Sequence, residues 1–304
     1  MRLFETPSFE FVKNRKIAFI VSGILLIVSI ATIVTKGLQY GIDFRGGIEY
    51  VISFENPVDV TEVRSSLSQP LGAPPEVKKF GAGNDLLIRA QQQNMEITQL
   101  QNMIMDNLEQ LYPGNQATVI KSDIVGPRFA EDLKNGAIQA IIWALVIIFI
   151  YIFIRFKNWT YSAGAVAALF HDVLIVLGIF TLMSELFPFN MQIDQAIIAA
   201  FLTIVGYSLN DTVVVFDRIR ENSLLFKTMD TDRMINKSLN DTLSRTVITS
   251  ITTLFVVTVL FIFGGEVLKG FSFALVIGVI LGTYSSLFVA SALVVELSKA
   301  ETSK

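Results

Sequence analysis

The sequence has no cysteine and a single histidine, His171. Without thiols there is no disulfide, thiolate metal site or thiol nucleophile, and one imidazole cannot build a multi-histidine metal centre. Charge is scarce as well: 17% of the 304 residues are Asp, Glu, Lys or Arg, where soluble domains carry about 25%. The net charge of −3 is small and mixed, and no basic stripe with interleaved aromatics favours a nucleic-acid partner. Neither an HExxH motif nor a paired membrane carboxylate motif occurs, which removes the intramembrane proteases. The expectation is a protein without cofactor or metal and not an enzyme.

What is abundant is apolar: 52% of the residues, with 24 Phe, gathered in long blocks. A membrane-spanning helix needs about 20 mostly apolar residues, because every backbone polar group must be paired inside the hydrocarbon. Six segments qualify, at 17–34, 137–154, 160–182, 196–216, 246–263 and 271–295. The basic residues before the first span resemble those of a signal peptide, but the apolar run is too long and no small-residue cleavage site follows, so it reads as an uncleaved anchor.

Orientation follows from the short connections. With residues 1–16 in the cytoplasm, the inner side holds Arg2, Lys13, Arg15 and Lys16, then Arg155 and Lys157, then Arg218, Arg220, Lys227, Arg233, Lys237 and Arg245 in a cytoplasmic loop at 217–245. Lys299 and Lys304, in a tail at 296–304, bring the inner total to fourteen, whereas the short outer loops carry only Lys269. Both termini are therefore expected inside, with residues 35–136 forming a domain on the outside.

That domain has periodicities of its own. Ile48 to Glu55 alternates as a strand, and Asp59 to Ser68 reads as a short helix. Val77 to Phe80 and Leu86 to Ala90 flank the turn Gly81-Ala82-Gly83-Asn84-Asp85. Met95 to Leu111 places Ile97, Leu100, Ile104, Leu108 and Leu111 at helical spacing, and Ala117 to Val125 is a last strand. The order βαββαβ predicts a ferredoxin-like α+β domain between the first and second of six membrane helices. Asp43, Arg45 and Glu49, at its entry, read as a solvated face or a local salt bridge, and Gly46-Gly47 as a tight turn.

An ionisable group at the centre of a span costs about 2.5 to 3.5 kcal/mol on insertion scales, so a chain that keeps one usually employs it. Asp211 in the fourth span is the sharpest case; Asn210 precedes it, and Ala199, Thr203, Gly206, Asn210 and Asp217 form a small, polar stripe that reads as a face packed against other helices. The alternative is that Asp211 sits near the cytoplasmic end and is hydrated there. Arg245 opens the fifth span, where a guanidinium can reach about one turn inward towards Asp211 or act as an interfacial anchor. Thr249, Thr252 and Thr253 on the fifth span, with Gly278, Gly282 and Ser285 on the sixth, suggest a polar seam shared by the last three spans. His171 and Asp172 in the third span form a secondary pair, read first as structural and second as a proton relay. Asp217 reads as solvated or ion-paired.

Several motifs are similar to one family. Gly41 to Gly47 (GIDFRGG), Val125 to Phe129 (VGPRF), Val205 to Asn222 (VGYSLNDTVVVFDRIREN), Ser244-Arg245-Thr246 and Phe263 to Phe273 (FGGEVLKGFSF) resemble the SecD/SecF family of bacterial protein-export membrane proteins, on its SecF side. The family is of the resistance-nodulation-division type. The resemblance implies a chain of the bacterial inner membrane that pairs with a six-spanning SecD, associates with the SecYEG channel and YajC, and uses the proton gradient to draw exported polypeptide outward. It further implies that Asp211 and Arg245 mediate proton passage. Half of a proton-coupled small-solute or lipid exporter of the same superfamily is the alternative.

Overall fold

The computed structural model describes residues 7–72, 75–81, 83–90, 97–184, 186–187, 189 and 191–302. Arg2, Lys304, Ala82 of the expected turn and the expected helix start at Met95 lie outside these residues. The elements run α1 (Arg15–Lys36), α2 (Ile42–Arg45), β1 (Gly47–Phe54), α3 (Val60–Ser68), β2 (Glu76–Phe80), β3 (Asp85–Ala90), α4 (Ile97–Leu111), β4 (Ala117–Val125), α5 (Pro127–Phe156), α6 (Trp159–Met183), α7 (Gln195–Leu225), α8 (Thr231–Phe263) and α9 (Glu266–Ser285). A π-helical segment, Ser286–Ala290, joins α9 to α10 (Ser291–Thr302). Six of these helical stretches are long and apolar enough to cross a membrane, α9 and α10 counting as one with the π segment.

The sheet order is β2-β3-β1-β4, with every neighbour antiparallel. Together with α3 and α4 this is the expected ferredoxin-like domain. Central β1 is buried at every residue except Ser53, and Ile48, Tyr50 and Ile52 stand opposite Ala90, Ile88 and Leu86 of β3. Leu100, Ile104 and Leu108, one face of α4, close the domain core with Val63 and Leu67 of α3. The α3 start is fixed by Asp59, whose carboxylate accepts from the Thr61 and Glu62 N–H groups at 2.7 and 3.0 Å. At the domain entry Gly46 has φ +73°, and a side chain there would meet Pro127 Cα at 3.0 Å, so the turn needs glycine twice over.

The bundle obeys the membrane rule that small and hydroxylated residues face protein while apolar ones face lipid. On α1 the buried residues are Ala18, Ser22, Ser29 and Thr32, while Ile17, Ile20, Ile24 and Ile27 are exposed. Ser29 fits against Gly178 of α6 so closely that a Cβ on that glycine would lie 2.3 Å from the serine side chain. Gly278 and Gly282 of α9 meet Ile204 and Ser208 of α7 in the same manner.

The stretch 217–245 is helical apart from the short break at 226–230, since α7 and α8 both continue well past their apolar segments. Asp217 there pairs with Arg155 of α5 at 2.8 Å. Ala199, Thr203, Gly206 and Asn210 are exposed on the surface of the chain, so the packing face expected there meets no helix among the described residues. Within the chain α9 offers its glycines to the opposite side of α7, at Ile204 and Ser208.

Candidate functional site within the bundle

Two apolar clusters fill the bundle, and a polar layer separates them. One contains Ala165 and Ala168 of α6, Val215 and Phe216 of α7, Leu243 of α8 and Leu287 beyond α9. The other contains Ile175 of α6, Phe201 and Ile204 of α7, Val257 of α8 and Leu281 of α9. Between them, at one level, lie His171 and Asp172 on α6, Ser208, Asp211 and Thr212 on α7, Thr246 and Ser250 on α8, and Ser285 at the end of α9; all are buried. Four helices interrupt their apolar sequence together, where each polar group costs free energy unless it is paired.

Asp172 is the hub of this layer. It is fully buried, and its Oδ2 accepts from Ser208 Oγ at 2.8 Å and from Ser285 Oγ at 2.6 Å. Its Oδ1 lies 2.9 Å from His171 Nδ1, so one carboxylate ties α6, α7 and α9. The opposite ring nitrogen, His171 Nε2, is buried without a hydrogen-bond partner among the described residues. The ring faces Tyr284, centroids 6.2 Å apart, and the Tyr284 hydroxyl reaches α1 at Ser22 Oγ and the Ala18 carbonyl, both at 3.0 Å.

Asp211 is one turn beyond Ser208 on the same side of α7, near the middle of that helix, and only 3% exposed. Its Oδ2 has no hydrogen-bond partner among the described residues, whereas the Ser250 hydroxyl of α8 lies beside the carboxylate. Ser250 in turn accepts from Thr283 Oγ1 at 2.7 Å, which ties α8 to α9. The buried hydroxyl of Thr246, without a hydrogen-bond partner among the described residues, belongs to the same face of α8.

Arg245 makes no ion pair within 4 Å among the described residues; its charge acts on Asp211 across space. The side chain is exposed and lines an open cleft of about 1300 Å³ together with Lys13, Arg15, Arg218, Arg233 and Asp241. Asn210, next in sequence to Asp211, points away from the layer, because a 100° step on the helix carries it to the exposed face. The structure thus brings Asp211 and the His171-Asp172 pair into one layer, sets Arg245 at its margin, and leaves Asn210 and Asp217 outside.

The polar seam also differs in detail from the sequence reading. Thr249 and Thr252 bond back to the carbonyls of Arg245 and Ile248, as hydroxyls on membrane helices can without any partner helix. The residues of α8 that face the layer are Thr246 and Ser250, one step round. Ser208 was missed altogether. Its only signal in sequence is its position three residues before Asp211, opposite the glycine of α9 at Gly282.

On the outer side a second polar group joins domain and bundle. Arg89 of β3 pairs with Glu49 of β1 at 2.6 Å, both buried, and Lys121 of β4 reaches the same carboxylate at 3.2 Å. Asp43 accepts from the Gln195 N–H, the first residue of α7, at 3.0 Å. Asp43 and Glu49 are thus engaged in capping and ion pairing, while Arg45 is exposed.

The model of the C-terminal region of protein export membrane protein SecD/SecF matches residues 104–300, and that of the SecD/SecF GG motif matches 31–58. The chain is 56% identical to the protein translocase subunit SecF of Rhodothermus marinus over 98% of its own length and 96% of that protein. With the corresponding subunit of Haemophilus influenzae the identity is 40%, over 94% and 85%. The crystal structure of SecDF, a translocon-associated membrane protein from Thermus thermophilus, superposes with a TM-score of 0.84 at 34% identity, over 98% of this chain and 40% of that longer one. A SecDF structure in the super-membrane-facing form gives 0.71 at the same identity, over 100% and 40%. With family models that cover most of the chain, full-length relatives and a shared fold in agreement, this six-helix membrane protein belongs to the SecD/SecF family of protein-export membrane proteins.

Proposed function

We propose that the chain is the SecF-type subunit of a bacterial protein translocase, working with a six-spanning SecD-type partner in the inner membrane. Its domain faces outward and both termini face the cytoplasm. The pair uses proton movement down the membrane potential to promote the late stage of polypeptide export, in association with the SecYEG channel and YajC.

The observation that carries this reading is the carboxylate of Asp211, buried between two apolar clusters with one oxygen unpaired among the described residues. An ionised carboxylate there draws on the field of Arg245, the Ser250 hydroxyl and the rest of the polar layer. A proton taken up on the free oxygen removes the charge, and with it the attraction that holds α7 and α8 in their present relation. One elementary charge moved through 100 mV is worth about 2.3 kcal/mol, which shifts a two-state equilibrium about fiftyfold. The wide cleft lined by Arg245 offers a cytoplasmic exit through which that proton can reach water. The exposed small-residue face of α7 at Ala199, Thr203, Gly206 and Asn210 is the surface the partner subunit would cover.

The test is export of a secretory precursor into inverted vesicles carrying the full complex, with and without a proton gradient. Asp211→Asn should leave ATP-driven export intact and abolish the stimulation by the gradient. Stimulation equal to wild type would refute the assignment.

A further inference from the structure

The helix that carries Asp211 is fastened at its outer end to the folded domain. The side-chain amide of Gln192, 4% exposed and three residues before α7, accepts from Arg89 Nη1 and donates to Glu76 Oε2. Arg89 belongs to β3 and Glu76 to β2, so one neutral side chain on the bundle is gripped by two charged ones on the sheet. Arg89 is itself held by Glu49 of β1, which places the grip on three of the four strands.

The backbone beside Gln192 is bound as well. Ile193 N–H donates to the Gln39 carbonyl at 2.7 Å, and the Ile193 carbonyl accepts from Gly41 N–H at 2.9 Å. Asp194 caps α7 through Ile197 N–H at 2.9 Å, and Asp43 takes the Gln195 N–H. Arg89, Glu49, Gln192 and Ile193 are buried, so their polar groups would lose partners on separation, while Glu76 is half-buried and Gln195 exposed.

We propose that Gln192, held by Arg89 and Glu76, is the positioning residue through which the outer domain and the Asp211-bearing helix move as one body. The inference rests on the proton-coupled reading above. Asp211 changes its charge inside the bundle, α7 answers, and the Gln192 clamp passes that displacement to the sheet. Gln192 touches neither proton nor polypeptide.

The absence of native cysteines permits a direct test in the full complex with a cysteine-free partner. Gln192→Leu removes the clamp and leaves the Arg89–Glu49 pair inside the domain. It should insert, co-purify with the partner and conduct protons within about twofold of wild type, while gradient-dependent export falls about tenfold or more, as expected for two lost charge-assisted bonds. In Glu76→Cys/Gln192→Cys a short bis-maleimide replaces the clamp covalently. Export should be low before cross-linking and return to within about twofold of wild type after it.

The proposal would be overturned by full export from both uncross-linked variants, or by export lost only once the cross-link is made, which would mean that domain and helix must separate. Proton flux and export falling together without rescue would also overturn it, as that marks a merely structural residue. Asp211→Asn serves as the reference. If it keeps both activities the proton-coupled reading fails, whereas a failure confined to the Gln192 variants leaves that reading standing.

Discussion

At the scale of single residues, two carboxylates in one layer have opposite characters. Asp172 is hydrogen-bonded through both oxygens and holds three helices together. Asp211 keeps one oxygen without a hydrogen-bond partner among the described residues. Arg245 acts on Asp211 through its charge and not through a fork-to-carboxylate contact, and this changes what substitution should do. A bidentate contact would make Lys a poor substitute for Arg, but a field across space asks only for a positive charge at that depth. Arg245→Lys should therefore keep a substantial part of gradient-dependent export, and Arg245→Gln should lose about as much as Asp211→Asn. Equal loss in both Arg245 variants, read in the same vesicle assay, would point to direct pairing at another stage of the cycle.

At the scale of elements, helix contacts rest on glycines that admit a neighbour. A Cβ on Gly178 would overlap Ser29 of α1, so Gly178→Ala should push α1 away from α6 and cost about 1 to 3 kcal/mol as an overpacked site. Ser29→Gly in the same chain should restore much of it, read as the thermal midpoint of the detergent-solubilised complex. Failure of the second substitution to help would mean that the clash is relieved elsewhere.

The helices and the succession of the domain's elements were legible in the sequence because hydrophobic periodicity and length decide them, as in β1, where Ile48, Tyr50, Ile52 and Phe54 alternate along the chain and face the domain core. Which face of a membrane helix packs inward was not. Ala199, Thr203 and Gly206 have the composition of a buried face yet lie on the surface, because composition marks a protein-facing side without saying which protein it faces. For the same reason Asp211 was found by its charge alone, whereas Ser208, Thr246 and Ser250 became visible only when three helices were laid side by side.

At the scale of the whole molecule, a domain outside the membrane and a titratable layer within it share α7. The outer junction has a pH dependence of its own. Burial pushes the Glu76 carboxyl up, but Lys78, Arg89 and the Gln192 hydrogen bond together outweigh it and hold the group below its ordinary value of 4.5. A lowered carboxylate contributes stability that is present above its unfolded value and is lost as the pH falls through the folded one. The part of domain docking that Glu76 supplies should accordingly be constant from neutral pH down to about that ordinary range and be lost only under stronger acid, read as faster amide exchange at Ile193 and Gln195 in the wild type than in Glu76→Gln. Loosening near pH 7 would contradict it.

The central claim, that protonation of one buried carboxylate drives the cycle, is tested most directly by proton uptake in vesicles containing the assembled complex under an imposed gradient. The account predicts flux in wild type and none above background in Asp211→Asn, with insertion and partner co-purification unchanged. Flux in Asp211→Asn equal to wild type would contradict it.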